Sequence, residues 1–349
     1  MRHPLIVNMI LNFKTSNIDF KHPFTISSGT KNNQEAIIVS LENRGITGYG
    51  EAPAIKYYPE SIESMLNVLQ SKKPFIEKFA FTTPDRYWHY LHHLLPQNPF
   101  IVCALDMAAW DIFGKMYNRP LFTFFTNDIP TEPQTDFTIG IDSIEKMVAK
   151  IEEKPWPVYK IKLGTDHDIK IIEALRKHTD NTIRVDANAA WSLAEAKENI
   201  TAFKDLNIEL IEQPLAKDNL DEMQALYDFS PITLIADESC VSESDVAKCI
   251  GKFHGINIKL TKCSGITPAL RMIKQAKENG LKTMLGGMNE TSIGSAAVAH
   301  LSPLVDFLDM DGPLLLKNDI ATGLEYTASN FKMPYSPGLG IKTTFFNID

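Results

Sequence analysis

The sequence predicts an α/β fold, a closed (β/α) barrel preceded by a smaller α+β unit, and three observations carry that reading. From Thr135 onward, short apolar runs alternate with stretches of helical periodicity, the pattern of parallel strands joined by right-handed crossovers. Eight such runs fall within about 180 residues, enough to close a ring. Residues 1 to about 125 read differently, as three strands followed by helices.

The elements follow in order. Leu5–Phe13 and Ala36–Leu41 have strand character, Asn43-Arg44-Gly45 supplies a turn, and Ile46–Glu51 forms a third strand running into Ala52-Pro53. Ser61–Gln70 and Phe100–Met116 follow helical spacing; in the second, Leu105, Ala108, Ala109 and Ile112 share one stripe. Thr25–Gln34, rich in Ser, Gly, Thr and Asn, and Pro53–Pro59 have the composition of flexible loops. The barrel strands are expected at Asp136–Ile141, Val158–Leu163, Thr182–Asp186, Ile208–Glu212, Thr233–Asp237, Gly255–Leu260, Lys282–Gly286 and Phe307–Asp311. Between them, Ser192-Leu193-Ala194-Glu195 is a capping box, and Thr267-Pro268 puts proline at the first helical position.

Size and composition narrow the function. A chain of 349 residues, 44% hydrophobic, accommodates one large barrel and a smaller partner. The formal net charge of −8 argues against nucleic acid or an anionic membrane as a partner. No apolar run reaches the ~20 residues a spanning helix needs, and Leu5–Leu11 is too short for a signal segment and lacks a cleavage site. Four cysteines (Cys103, Cys240, Cys249, Cys263) form no C-x-x-C pair, which fits reduced thiols in a cytoplasmic protein. Self-association is left open.

Barrel enzymes carry their chemistry at the C-terminal ends of the strands. Those ends read Thr138, then Lys160 and Lys162, Asp186 with Asn188, Glu212, Asp237 with Glu238, and Lys259. The seventh leads into Gly286-Gly287-Met288-Asn289-Glu290 and the eighth ends with Asp309 and Asp311. From Lys162 to Lys259, charges recur at spacings of 24, 26, 25 and 22, about one per βα unit. Asp186, Glu212 and Asp237 on consecutive strands, with no histidine or cysteine among them, make a hard oxygen site suited to Mg²⁺. A structural salt-bridge network with the lysines is the competing reading.

Strand geometry assigns roles. Strands two and six of an eight-membered ring face each other, so Lys162 and Lys259 flank whatever occupies the centre. The three acids fill the arc between them, and Asp309 and Asp311 lie at the far end, suited to a cationic group. A substrate carboxylate on the metal would leave its α-carbon between two lysines. Removing that α-proton puts two negative charges on the carboxylate oxygens, which a divalent cation stabilises more than the ground state. Lys160 and Lys162 share a strand face, so each ammonium is expected to lower the other's proton affinity and favour a neutral base. One lysine takes the proton from one face, its partner returns one to the other, and the carbon inverts.

These residues resemble the enolase superfamily, muconate-lactonising subgroup, and most closely its dipeptide epimerases. The resemblance rests on Lys160-Ile161-Lys162, Asp186-Ala187-Asn188, Glu212-Gln213-Pro214, Asp237-Glu238-Ser239, Ile258-Lys259-Leu260 and Asp309-Met310-Asp311-Gly312-Pro313, and spans nearly the whole chain. It implies a modified TIM barrel, (β/α)7β, over 126–319, and a capping domain over 1–125 completed by about 320–349. It implies Mg²⁺ on Asp186, Glu212 and Asp237, with Lys162 and Lys259 as acid/base catalysts. Lys160 would assist at the substrate carboxylate, Thr138 and Met288 would line the dipeptide's path, and Asp309 and Asp311 would hold its ammonium. Thr25–Gln34 and Pro53–Pro59 correspond to the family's closing loops.

Ala-Glu epimerases carry an arginine in the first of those loops; here Gly29 stands in its place, with Lys31 nearby. An arginine fork binds a carboxylate in a way lysine does not reproduce. With Phe24, Ile26, Tyr57 and Tyr58 around it, the expected substrates are hydrophobic or broad dipeptides. L-Ala-D/L-Glu epimerase, o-succinylbenzoate synthase, N-acylamino acid racemase and muconate cycloisomerase are the alternatives within the superfamily. A Schiff-base lysine lyase is the alternative outside it. A nucleotide site is excluded, because Gly286-Gly287 precedes no phosphate cradle.

Overall fold

The structure, a computed structural model, describes residues 8–127 and 134–347. Residues 5–7 of the first expected strand lie outside them. An antiparallel sheet comes first: β1 (Ile10–Ile26), β2 (Gly29–Asn43) and β3 (Ile46–Pro53), in the order β1-β2-β3. Helices Ile62–Glu77, Pro84–Leu94 and Pro99–Met116 pack on it around Leu11, Ile37, Val39, Leu69, Leu91 and Leu105. Gly50 lets the last helix approach closely, since a methyl there would overlap the Ala104 carbonyl.

Thr25–Gln34 is not a loop. It is the end of the β1–β2 ribbon, with Thr25 opposite Thr30 and Ile26 opposite Gly29 across a two-residue turn. Ser27, Ser28, Gly29, Thr30, Asn32 and Asn33 are all exposed, so neither face carries the apolar alternation that marks a strand in sequence. The pairing breaks between Asp19 and Phe24, and residues 20–23 bulge from the ladder.

Eight parallel strands follow: β4 (Phe137–Ile139), β5 (Val158–Lys162), β6 (Thr182–Asp186), β7 (Ile208–Glu212), β8 (Thr233–Ala236), β9 (Gly255–Lys259), β10 (Lys282–Gly286) and β11 (Phe307–Asp309). They neighbour one another in sequence order, and the Asp136 amide donates to the Leu308 carbonyl (3.3 Å) at the seam between β4 and β11. The barrel is therefore nearly closed. After β11 there is only a four-residue turn of helix, Gly312–Leu315, where an eighth barrel helix would stand. The helix expected to open on Pro268 starts earlier, at Ile266.

Two carboxylates of the first unit reach across to cap barrel helices. Asp106 accepts from the Thr267 amide (2.9 Å) and hydroxyl (2.7 Å). Glu51 accepts from the Thr291 and Gly294 amides (3.0 and 3.1 Å) at the start of Ser292–Leu301. The C-terminal segment returns to the same unit: the Leu121 amide donates to Gly338, the Leu339 amide donates to Asp111, and Phe346 stacks on Tyr49. No described helix is long and apolar enough to cross a membrane.

Candidate active site

Alternation along each barrel strand sends every second side chain inward. On β5 these are Lys160 and Lys162, on β6 Arg184 and Asp186, on β7 Leu210 and Glu212, on β9 Asn257 and Lys259. Register puts Lys162 beside Asp186 and Asp186 beside Glu212. The lower barrel is filled by Leu210, Ile235 and Met284 with Phe307, and by Arg184, which donates to Asp136 (3.0 Å) and Glu209 (2.7 Å). The upper barrel is mainly ionic.

Lys160 occupies its centre. Its ammonium meets Asp309 at 2.6 Å, Glu212 at 2.7 Å and Asp186 at 3.2 Å. β7 and β11 are four places apart among eight, so this one cation spans the barrel. Above it, Lys162 donates to Asp186 (2.6 Å) and Lys259 to Asp237 (2.8 Å). Lys262 donates to Asp237 from the other side (2.5 Å) and to the Cys240 and Asn257 carbonyls. Asn257 donates to Glu212 (2.8 Å), and the Asn188 amide to Asp186 (2.9 Å). Gly286 leaves room for Asn257 and Lys259, since a Cβ there would sit 2.7 Å from the Asn257 amide and 3.0 Å from the Lys259 Cε.

The expected mutual depression of Lys160 and Lys162 does not hold for Lys160. Burial pulls its proton affinity down, but Asp309, Glu212 and Asp186 outweigh burial and hold it well above the usual lysine range. Lys259 is likewise raised, burial being overcome by Asp237 and Glu212. Burial opposes ionisation of Asp186, yet Lys162 and Lys160 bring it down to about 2. Burial and Asp186 push Glu212 up to about 7, and burial and Asp237 push Glu238 up to about 8. Burial and Asp309 raise Asp311 to about 7.

A cavity of about 240 Å³ opens above this floor. Lys162, Lys259, Asp237, Asp309, Asp311, Thr138 and Met288 all line it. Lys160 does not line it; it is 1% exposed and lies beneath the floor. The ribbon contributes Phe24, Ile26 and Lys31, and the 53–59 turn contributes Lys56, Tyr57 and Tyr58. Gly29 lines the wall without a side chain. Asp311 accepts from the Thr138 amide (2.5 Å), tying the eighth strand end to the first.

Asp186, Glu212 and Asp237 stand together, but among the described residues no three metal-ligating side chains converge into a ready-made coordination shell. One oxygen of Asp186, one of Glu212 and both of Asp237 face lysines instead. The chemistry of the donor set nonetheless fits a divalent ion. On the barrel side, four ammoniums (Lys160, Lys162, Lys259, Lys262) meet six carboxyl groups (Asp186, Glu212, Asp237, Glu238, Asp309, Asp311), while Lys31 and Lys56 face the cavity from the cap. Glu238 Oε2 and Asn188 Oδ1 are buried without a partner.

Sequence reasoning missed Asn257, Lys262, Lys56 and the Arg184–Asp136 pair. Asn257 and Arg184 precede Lys259 and Asp186 by two residues, so the same alternation that paired Lys160 with Lys162 would have turned both inward. Lys262 and Lys56 lie off the strands and carried no such signal.

A cap folded over a barrel mouth lined by opposed lysines and a bank of carboxylates defines the enolase class of barrel enzymes. Residues 142–344 match the enolase C-terminal domain-like family, and residues 11–125 match the mandelate racemase/muconate lactonizing enzyme N-terminal domain. The chain belongs to that superfamily, in the group of the dipeptide epimerases, which are isomerases. An L-Ala-D/L-amino acid epimerase of Maribacter sp. is 48% identical over 316 residues, 90% of this chain and 94% of that protein. The substrate-liganded L-Ala-D/L-Glu epimerase of Bacillus subtilis superposes with a TM-score of 0.91 at 30% identity, covering 96% of this chain and 99% of that one. The dipeptide epimerase of Cytophaga hutchinsonii, solved with Mg and D-Ala-L-Val, gives 0.89 at 27% identity, covering 97% and 96%.

Proposed function

We propose that the protein is a Mg²⁺-dependent dipeptide epimerase that inverts the α-carbon of the C-terminal residue. The observation that carries this is the placement of Lys162 and Lys259 on strands half a barrel apart, lining one cavity, with acids on the strands between. Asp186, Glu212 and Asp237 would hold the ion, which supplies charge stabilisation for the substrate carboxylate as its α-proton leaves. Lys162 Nζ and Lys259 Nζ exchange a proton with the α-carbon from opposite faces. Asp309 and Asp311 receive the peptide's ammonium, with Thr138 and Met288 along its path. Lys160 binds Asp186, Glu212 and Asp309 together below, fixing the acids rather than touching substrate.

Hydrophobic and broad side chains are favoured over glutamate at the C-terminal residue. The absence of a side chain at Gly29 and the apolar Phe24, Ile26, Tyr57 and Tyr58 support this, as does the broad naming of the Maribacter relative. Lys31 and Lys56 on the same wall leave acidic side chains tolerated. The enzyme works in the cytoplasm, in keeping with four buried, unpaired cysteines.

Incubating the protein and Mg²⁺ in D₂O with a panel of L-Ala-L-X and other L,L-dipeptides tests this. One deuterium at the C-terminal α-carbon and the appearance of the second epimer are expected. Turnover confined to substrates without an ammonium would instead assign a lactonising or eliminating enzyme. Activity that survives EDTA, with a borohydride-trapped lysine adduct, would assign a Schiff-base lyase.

A further inference from the structure

A second cavity of about 120 Å³ lies against the first, and the two share the walls made by Phe24 and Thr138. It sits under the bulge where β1 leaves its ladder, between that bulge, the outer side of β4 and the segment after β11. Its floor is apolar, formed by Phe20, Phe137 and Leu314, and its rim carries Lys21, Lys150 and Lys154.

The rim sets three ammoniums against one carboxylate, Glu153, which acts on Lys21, so its net charge is positive. Lys150 has Asp142 at 3.4 Å, and Glu153 has His22 at 3.5 Å. Lys21 donates to the neutral Leu314 carbonyl (2.8 Å), and Lys154 lies 5.1 Å over the Trp156 ring. Among the described residues neither has a carboxylate within ion-pair distance. Burial and Lys154 together hold Lys21 below the usual lysine range. An apolar floor under two ammoniums that form no close ion pair, on a rim of net positive charge, suits a short aliphatic chain ending in a carboxylate.

Resting on the dipeptide reading above, we propose that this cavity is a subsite for the side chain of the substrate's amino-terminal residue, and that it selects acidic residues there. The ammonium of that residue is assigned to Asp309 and Asp311. Asp311 is hydrogen-bonded to Thr138, the shared wall, so the amino-terminal residue lies at the boundary between the cavities. A chain of two or three carbons leaving that point past Phe24 enters the second cavity and brings its carboxylate to Lys21 and Lys154. This selection is separate from that at the C-terminal residue, which the ribbon tip and the 53–59 turn govern.

Epimerisation of L-Glu-L-Leu, L-Ala-L-Leu and L-Lys-L-Leu by the Mg²⁺-loaded protein tests the assignment. The expected kcat/KM for L-Glu-L-Leu exceeds that for L-Lys-L-Leu by about tenfold, the order given by two partly exposed charge contacts, and the preference shrinks with added salt. Lys154→Glu should reverse the preference, and Glu153→Lys on the same rim should strengthen it. Equal rates for the acidic and basic peptides, or a ratio unmoved by both substitutions while L-Ala-L-Leu is turned over, would overturn the subsite alone. No turnover of any of the three would remove the dipeptide reading and the subsite with it.

Discussion

Lys160 is fully buried, yet it holds a proton more tightly than a lysine in water. Three carboxylates around one ammonium outweigh both burial and the neighbouring lysine, so its charge is spent on Asp186, Glu212 and Asp309. Lys162 and Lys259, unlike Lys160, reach the cavity, and the proposed reading gives proton transfer to them. Lys162→Ala is expected to slow α-proton exchange from one epimer by at least ~10²-fold, while Lys259→Ala does so for the other. Chirally resolved NMR in D₂O reads both, and equal loss from both epimers in either variant would contradict the assignment. Lys31→Ala should lower kcat/KM for L-Ala-L-Glu relative to L-Ala-L-Leu by about three- to fivefold, as expected for one partly exposed ion pair. An unchanged ratio would exclude Lys31 from the side-chain subsite. Most of this was legible in sequence because the charges close apolar strands, where a charge is conspicuous. Asn257 was not, because a neutral amide one alternation below Lys259 resembles any strand residue. The burial of Lys160 was also hidden, since alternation gives a side chain's direction but not its depth.

At the scale of elements, the eight barrel strands were read to within two residues at their ends, because a strand covered on both faces is a continuous apolar run. The ribbon at residues 24–31 escaped detection because its tip, residues 27–30, is exposed on both faces, and the Pro84–Leu94 helix because its exposed face is full of His, Tyr and Arg. The turn between β3 and the first helix hides a further feature. Glu60 is buried, neither of its oxygens has a partner, and burial raises its carboxyl to about 7. A carboxyl raised in the folded state binds its proton there after the unfolded chain has released it, so its contribution is complete below pH 4.5 and is lost as pH rises towards 7. Thermal unfolding should therefore show stability declining across that window by about 3 kcal/mol from this group. Glu60→Gln should flatten the decline and raise Tm at pH 8; an unchanged profile would mean that Glu60 finds a partner in solution.

For the whole molecule, the carboxyl groups gathered at the barrel mouth predict that a divalent ion stabilises the fold itself. At a hundred times its dissociation constant, Mg²⁺ should add about 2.7 kcal/mol, visible as a rise in Tm that EDTA reverses. Glu212→Gln should remove that rise, and a Tm indifferent to Mg²⁺ in the unsubstituted protein would count against the acids as its site. The two units are tied by Asp106 and Glu51 capping barrel helices, a long-range arrangement that no local pattern in the sequence announces. The return of residues 338–346 to Asp111, Tyr49 and Leu121 has a consequence for how the protein is made. On the ribosome the covering unit emerges first, but the segment that completes it follows the entire barrel. A nascent chain stalled before Gly338 thus holds Lys162, Lys259 and all the acids of the strand ends, yet its roof still lacks its final brace.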